Sequence, residues 1–120
     1  MILRAARPTN DLAAIERFYG DGVGLVVRSR FEGHAGFDGS IFATEHWELE
    51  FVVEHGVTAP CAPSHEHLFV LCLDAEEVER RAARLDGLGY RRVTPNNPWW
   101  TTHGVAFEDP DGYHFVLARL

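Results

Sequence analysis

Arg4, Glu48, Glu50, His67 and His114 fall on polar strand faces when each apolar run is read with a period of two. Carboxylates and imidazoles move protons near neutral pH or hold divalent cations, and a guanidinium pairs with carboxylates through two parallel donors. Glu48 and Glu50 lie two apart on one face, so one can ligate or bind while the other serves as a base. His65 and His67 form a His-x-His pair suited to a metal, although His65 ends a linker and is expected in solvent. His34, His46, His55 and His103 are scattered and are expected at the surface or in satisfied sheet positions. Cys61 is a linker thiol with no histidine near it in sequence, and Cys72 falls on an apolar strand face, which predicts packing. The chain has neither a Gly-rich phosphate loop nor a nucleophile elbow. Trp99 and Trp100 follow Pro98 in a stretch expected to be a loop. Two tryptophans there could close over a cavity and stack on a flat ligand, one lining the pocket and the other covering the sheet edge.

The elements that must position these groups occur twice. Ile2 to Arg7 reads as a strand that stops at Pro8. Asp11 offers a helix cap, and Leu12, Ile15, Phe18 and Tyr19 follow at helical spacing until Gly20, Gly22 and Gly24. Leu25 to Phe31 and Ser40 to Thr44 read as strands, separated by a loop carrying Gly33, Gly36 and Gly39. In His46 to Val53, Trp47, Leu49 and Phe51 oppose His46, Glu48 and Glu50. A linker spans about 54–65, and the pattern restarts. His67 to Leu73 is a strand, with Leu68, Val70 and Cys72 opposing His67, Phe69 and Leu71. Asp74 and Glu77 open a helix whose Val78, Ala82 and Leu85 share one face, and Gly87 and Gly89 end it. Tyr90 to Thr94, His103 to Glu108 and Tyr113 to Leu120 are strands, the last two joined by the turn Asp109-Pro110-Asp111-Gly112. In the last strand Tyr113, Phe115 and Leu117 oppose His114 and Val116. The wholly apolar sets are expected under the two helices, leaving the polar sets on a common concave side.

These readings predict one α+β domain of two modules, about 1–55 and about 66–120. At 120 residues and 46% hydrophobic, the chain can build one core of ordinary size. Eleven Lys and Arg against eighteen Asp and Glu give a formal charge of −7, which argues against nucleic acid or an anionic membrane as partner. Cys61 and Cys72 form no CxxC pair, so both are expected reduced. Met1-Ile2-Leu3-Arg4 runs straight into a strand pattern, and no apolar run approaches the ~20 residues that span a bilayer. A cytoplasmic location is therefore expected.

The order of these features resembles the vicinal oxygen chelate superfamily, the glyoxalase and bleomycin-resistance group. The resemblance rests on Asp11-Leu12 leading to Phe18-Tyr19, on Gly22-Val23-Gly24-Leu25, on Leu49-Glu50-Phe51 and on the His67 to Asp74 strand and cap. Its most specific part is Phe107-Glu108-Asp109-Pro110-Asp111-Gly112-Tyr113. The family implies two βαβββ modules forming an incomplete eight-stranded barrel around a cavity, and commonly a homodimer. Its enzymes hold one divalent metal with residues from the first and last strand of each module. Carried over, the first-strand places are Arg4 and His67, each seven residues before the helix-opening aspartate. The last-strand places are Glu50 and Val116.

Half of that ligand set is missing. Glu50 and His67 suit Zn, Ni, Mn or Fe, but an arginine offers only donors and valine offers no ligand atom. The resemblance therefore supports two functions. One is a metal-free protein that binds or sequesters a small ligand, aromatic or cationic, with an Arg4–Glu50 ion pair in place of the ion. The other is a metal-dependent lyase, isomerase or dioxygenase using Glu50, His67 and, as third ligand, His114. A domain with a vestigial cavity is the blander alternative.

Overall fold

A computed structural model describes residues 1–120. The chain separates into two compact units, Met1–Cys61 and Ala62–Leu120, each built on a four-stranded mixed sheet.

The first unit contains β1 (Leu3–Pro8), α1 (Leu12–Ile15), a π-helical segment (Glu16–Gly22), β2 (Val27–His34), β3 (Phe37–Ala43) and β4 (Trp47–Glu54), in sheet order β1-β4-β3-β2. Asp11 caps α1 by accepting from the backbone N–H of Ala14 at 3.0 Å. The helix then widens, with Val23 N–H bonding the carbonyl of Phe18, five residues back. That widening buries the adjacent Phe18 and Tyr19 together, with ring centroids 4.7 Å apart, where a regular helix would turn one away. Tyr19 packs on Phe51 and Phe42, so the helix covers the Leu49 and Phe51 face of the sheet, as the alternation in β4 predicts. Arg7 is buried on this side, donating to the Tyr19 hydroxyl at 2.9 Å and lying over the Phe51 ring.

The loop expected between β2 and β3 is a tight hairpin. Only Ala35 and Gly36 lie outside the strands, both at positive φ, as a two-residue turn of this hand requires. Gly39 belongs to β3 because the ring of Phe31, its cross-strand partner, occupies the space a side chain would need. A Cβ there would lie 2.2 Å from that ring.

The second unit contains β5 (Phe69–Leu73), α2 (Ala75–Gly87), β6 (Arg92–Val93), α3 (Pro98–His103), β7 (Gly104–Glu108) and β8 (His114–Arg119), in sheet order β5-β8-β7-β6. The order repeats that of the first unit, and β1–β4 and β5–β8 are both parallel pairs. Asp74 caps α2 through the N–H of Glu77, and Val78, Ala82 and Leu85 are its buried stripe. The Asp109–Gly112 turn is held by the Asp109 carboxylate, which accepts from Asp111 and Tyr113, and by the Gly112 N–H bonding Asp109 O.

Four expectations change here. Residues 98–103 form a helix, capped by the Asn97 side chain with Pro98 in its first turn, instead of a loop. The strand expected from His67 starts at Phe69, because Ser64–His67 close a turn, with His67 N–H on Ser64 O. Leu68 and Val70 do not lie under α2. In the parallel register Val70 pairs with Val116, and both pack with Ala106, Ala118, Val93 and Trp100 on the other side of the sheet. Cys72 is exposed on edge strand β5 and is no part of a core.

Candidate functional site

In the first unit the parallel β1–β4 register sets Arg4 beside Glu48 and Ala6 beside Glu50. Arg4 Nε donates to Glu48 Oε2 at 2.5 Å, while Arg4 Nη1 lies 3.8 Å from Glu50 Oε2. Arg4 thus makes the expected ion pair with Glu50 and a closer one with Glu48, because cross-strand neighbours in register are nearer than diagonal ones. Arg28 reaches the same carboxylate at 3.4 Å and donates to the carbonyl of Thr44 at 2.7 Å. Hydrogen bonding to Glu48 holds the Arg4 guanidinium above its ordinary pKa. Two carboxylates facing two guanidiniums leave this face balanced in charge, so the acidic surface expected to attract a cation is not present here.

In the second unit His114 is buried and stacks on His65, with centroids 4.5 Å apart and planes 13° from parallel. Burial is the main cause that lowers the His114 pKa, and His65 and Arg91 add repulsion against the opposing pull of Glu108 and Asp109. The Nδ1 atom of His114 is enclosed without a hydrogen-bond partner. His65 is exposed, as expected, and also stacks one ring face on His114. His67 instead meets Tyr113 edge-on at 5.5 Å. Tyr113 and His114 are consecutive, and consecutive residues of an extended chain point to opposite sides. His67 and His114 are accordingly not brought together, and the His-x-His pair is split.

Trp100 packs on the Ala106, Val116 and Ala118 cluster. Trp99 points outward, 58% exposed, and stacks on His103 at 3.8 Å. Trp100 is therefore the tryptophan that covers the sheet face bearing Val116. A pocket of about 420 Å³ opens at the end of the second sheet, lined by His65, Arg91, Thr94, Glu108 and His114 among others. Arg91 and Glu108 form an ion pair there. Sequence reasoning missed Arg91, Thr94 and Glu108. The signal was the parity of Glu108, which pairs with His114 across β7–β8.

The donors do not fit the metal that this fold implies. Arg4 supplies no lone pair, and its guanidinium already engages Glu48. Val116 sits in an apolar cluster that would strip a cation of water and return no ligand. Neither unit by itself gathers three or more His, Cys, Asp or Glu side chains around one point.

Two βαβββ-type modules with matching sheet order define a vicinal oxygen chelate protein, the fold class of the glyoxalases and bleomycin-resistance proteins. Similar structures at low identity share that fold. Fosfomycin resistance protein FosX from Mesorhizobium loti aligns with TM-score 0.72 and 16% identity over 96% of this chain and 87% of that one. Leishmania major glyoxalase I aligns with TM-score 0.72 and 17% identity over 97% and 84%. The chain belongs to the YycE-like family: residues 3–52 match its N-terminal domain and residues 66–119 its C-terminal domain. Protein YycE of Bacillus subtilis (strain 168) is 40% identical over 119 residues, covering 96% of this chain and 85% of its own. A crystal structure of YycE from Bacillus subtilis, a protein of unknown function described as a candidate glyoxalase or fosfomycin resistance protein, aligns with TM-score 0.87 and 38% identity. The alignment covers 96% of this chain and 86% of that one. No helix is long and apolar enough to cross a membrane.

Proposed function

We propose that this chain binds a small molecule directly, with side chains in place of the divalent ion, in the sequestering and resistance-like manner of its fold class. The observation that carries the reading is Arg4. At a first-strand ligand place it presents a guanidinium bonded to Glu48 and near Glu50. A cation placed there would meet fixed positive charge, and the carboxylate nearest to it is already neutralised. Val116, at the last-strand place of the second module, lends the same support through its apolar surroundings.

Binding of this kind needs no proton transfer and no open coordination site. It needs shaped surfaces and a few fixed polar groups, which the Arg4–Glu48–Arg28 cluster and the His114 pocket supply. We further infer a cytoplasmic homodimer, as the reduced state expected of Cys61 and Cys72 and the dimers common in the fold class favour.

Thermal shift with Ni, Zn, Mn and Fe in turn tests this reading. No saturable stabilisation is expected from any of them. A rise in Tm that saturates at one equivalent and disappears in Glu50→Ala or His67→Ala would replace it with a metal-dependent lyase, isomerase or dioxygenase.

A further inference from the structure

We propose that the pocket at the end of the second sheet binds the oxyanion of a small ligand, a carboxylate or a phosphoryl group, through Arg91, His114, His65 and Thr94. This rests on the reading that the chain binds its ligand without a metal, and it names the chemistry of that ligand.

The lining of this pocket is rich in donors. Arg91 and Arg92 carry guanidiniums, Thr94 a hydroxyl, and His65 and His114 ring nitrogens, against one carboxylate, that of Glu108. Arg92 is engaged by Asp86 outside the pocket, through Nε and Nη2 at 3.1 and 2.8 Å. Arg91 uses Nη2 on Glu108, which leaves most of its fork of donors unspent. On a chain of formal charge −7 such a local excess of donors is the exception.

His114 points to a ligand most directly. It is 93% buried by its 7% relative exposure, and its Nδ1 is enclosed with no partner. An enclosed N–H without an acceptor costs more than an enclosed lone pair, so the proton of the neutral ring belongs on Nε2. Nε2–H is then the one donor of a ring that lines the pocket. Stacking on His65 holds the ring in this orientation. A buried donor fixed in advance and an exposed, charged donor at the rim suit a small oxyanion. Glu108 acts as the resident acceptor on Arg91, which a bound oxyanion displaces.

Titration of inorganic phosphate and, separately, acetate into the full chain, followed by amide and imidazole NMR shifts, tests the proposal. Either anion is expected to give saturable shifts centred on His65, Arg91, Thr94 and His114, and the tighter one identifies the source of the oxyanion. Arg91→Gln should weaken that binding at least about tenfold, which corresponds to ~1.4 kcal/mol. His114→Phe, which keeps the ring shape without the donor, should weaken it similarly. Glu108→Gln releases Arg91 and should tighten it several-fold; this exposed change and Arg91→Gln keep the test open if His114→Phe does not fold. Shifts that fail to saturate, that lie elsewhere, or that ignore Arg91→Gln and Glu108→Gln would overturn the proposal, as would preference for tetramethylammonium. A metal-free chain with those results loses only this inference, whereas stoichiometric metal removes the reading beneath it.

Discussion

Arg4 and Glu48 stand side by side across the parallel β1–β4 pair, with Arg4 Nε 2.5 Å from Glu48 Oε2. The contact follows from register alone, and it uses up the charge that a bound cation would otherwise find. Arg4 is half exposed, so its role is to set the electrostatics of the face more than to stabilise the fold. Arg4→Gln is expected to lower Tm slightly in dilute buffer, and the difference from the parent should shrink toward zero at about 1 M salt. Thermal unfolding at two ionic strengths reads this. A difference that persists undiminished in high salt would mean that Arg4 acts through packing.

His114 should make stability depend on pH with a definite sign. Its pKa is lowered in the folded chain, chiefly by burial, from an ordinary value of 6.5. Below about 6.5 the unfolded chain takes up a proton that the folded chain resists, so stability is full above that pH and declines as pH falls toward the lowered value. His114→Phe should remove this component of the decline. Melting curves between about pH 7.5 and 5 for both chains test it, and identical slopes would show that other groups carry the dependence.

Gly39 and Gly104 should differ in what alanine costs. A Cβ at Gly39 meets the Phe31 ring, a side chain that can swing aside. At Gly104 it would lie 2.3 Å from the backbone carbonyl of Leu117, which the β7–β8 pairing holds in place. Gly39→Ala is expected to cost about 1–3 kcal/mol, and Gly104→Ala more than Gly39→Ala. Urea unfolding gives the order directly, and the reverse order would contradict the packing described for β8.

Tyr19→Phe removes the hydroxyl that accepts from buried Arg7 at 2.9 Å. A hydrogen bond to a charged group is worth about 1.5–3 kcal/mol, and a loss in that range is expected by urea unfolding. A loss below about 0.5 kcal/mol would show that the other surroundings of Arg7, including the Phe51 ring, suffice.

Much of this architecture was legible in the sequence. The alternation in β4, the capping aspartates Asp11 and Asp74, and the Asp109–Gly112 turn are local signals, and each names its element. What was not legible depends on contacts distant in sequence. Asn97 and Pro98 start a helix where a loop was expected, because α3 is only six residues long and docks Trp100 on the sheet. His67 lost its place on a strand to a four-residue turn closed by Ser64. Parity alone could not tell which apolar face of β5 meets α2, because both faces are apolar; the register with β8 decides it. That Glu48 stands closer to Arg4 than Glu50 does was not legible for a related reason, since the offset between β1 and β4 is not written in either strand. Arg91 and Glu108 became visible as pocket residues only once β6, β7 and β8 were aligned.

The central claim, that side chains have replaced the metal, is tested most directly by elemental analysis of the purified, tag-free chain beside Glu50→Ala. The account predicts less than about 0.1 equivalent of Zn, Ni, Mn or Fe in the parent, and no change on Glu50→Ala. One full equivalent in the parent, lost on Glu50→Ala, would contradict it and make the chain a metalloprotein with an unusual donor set.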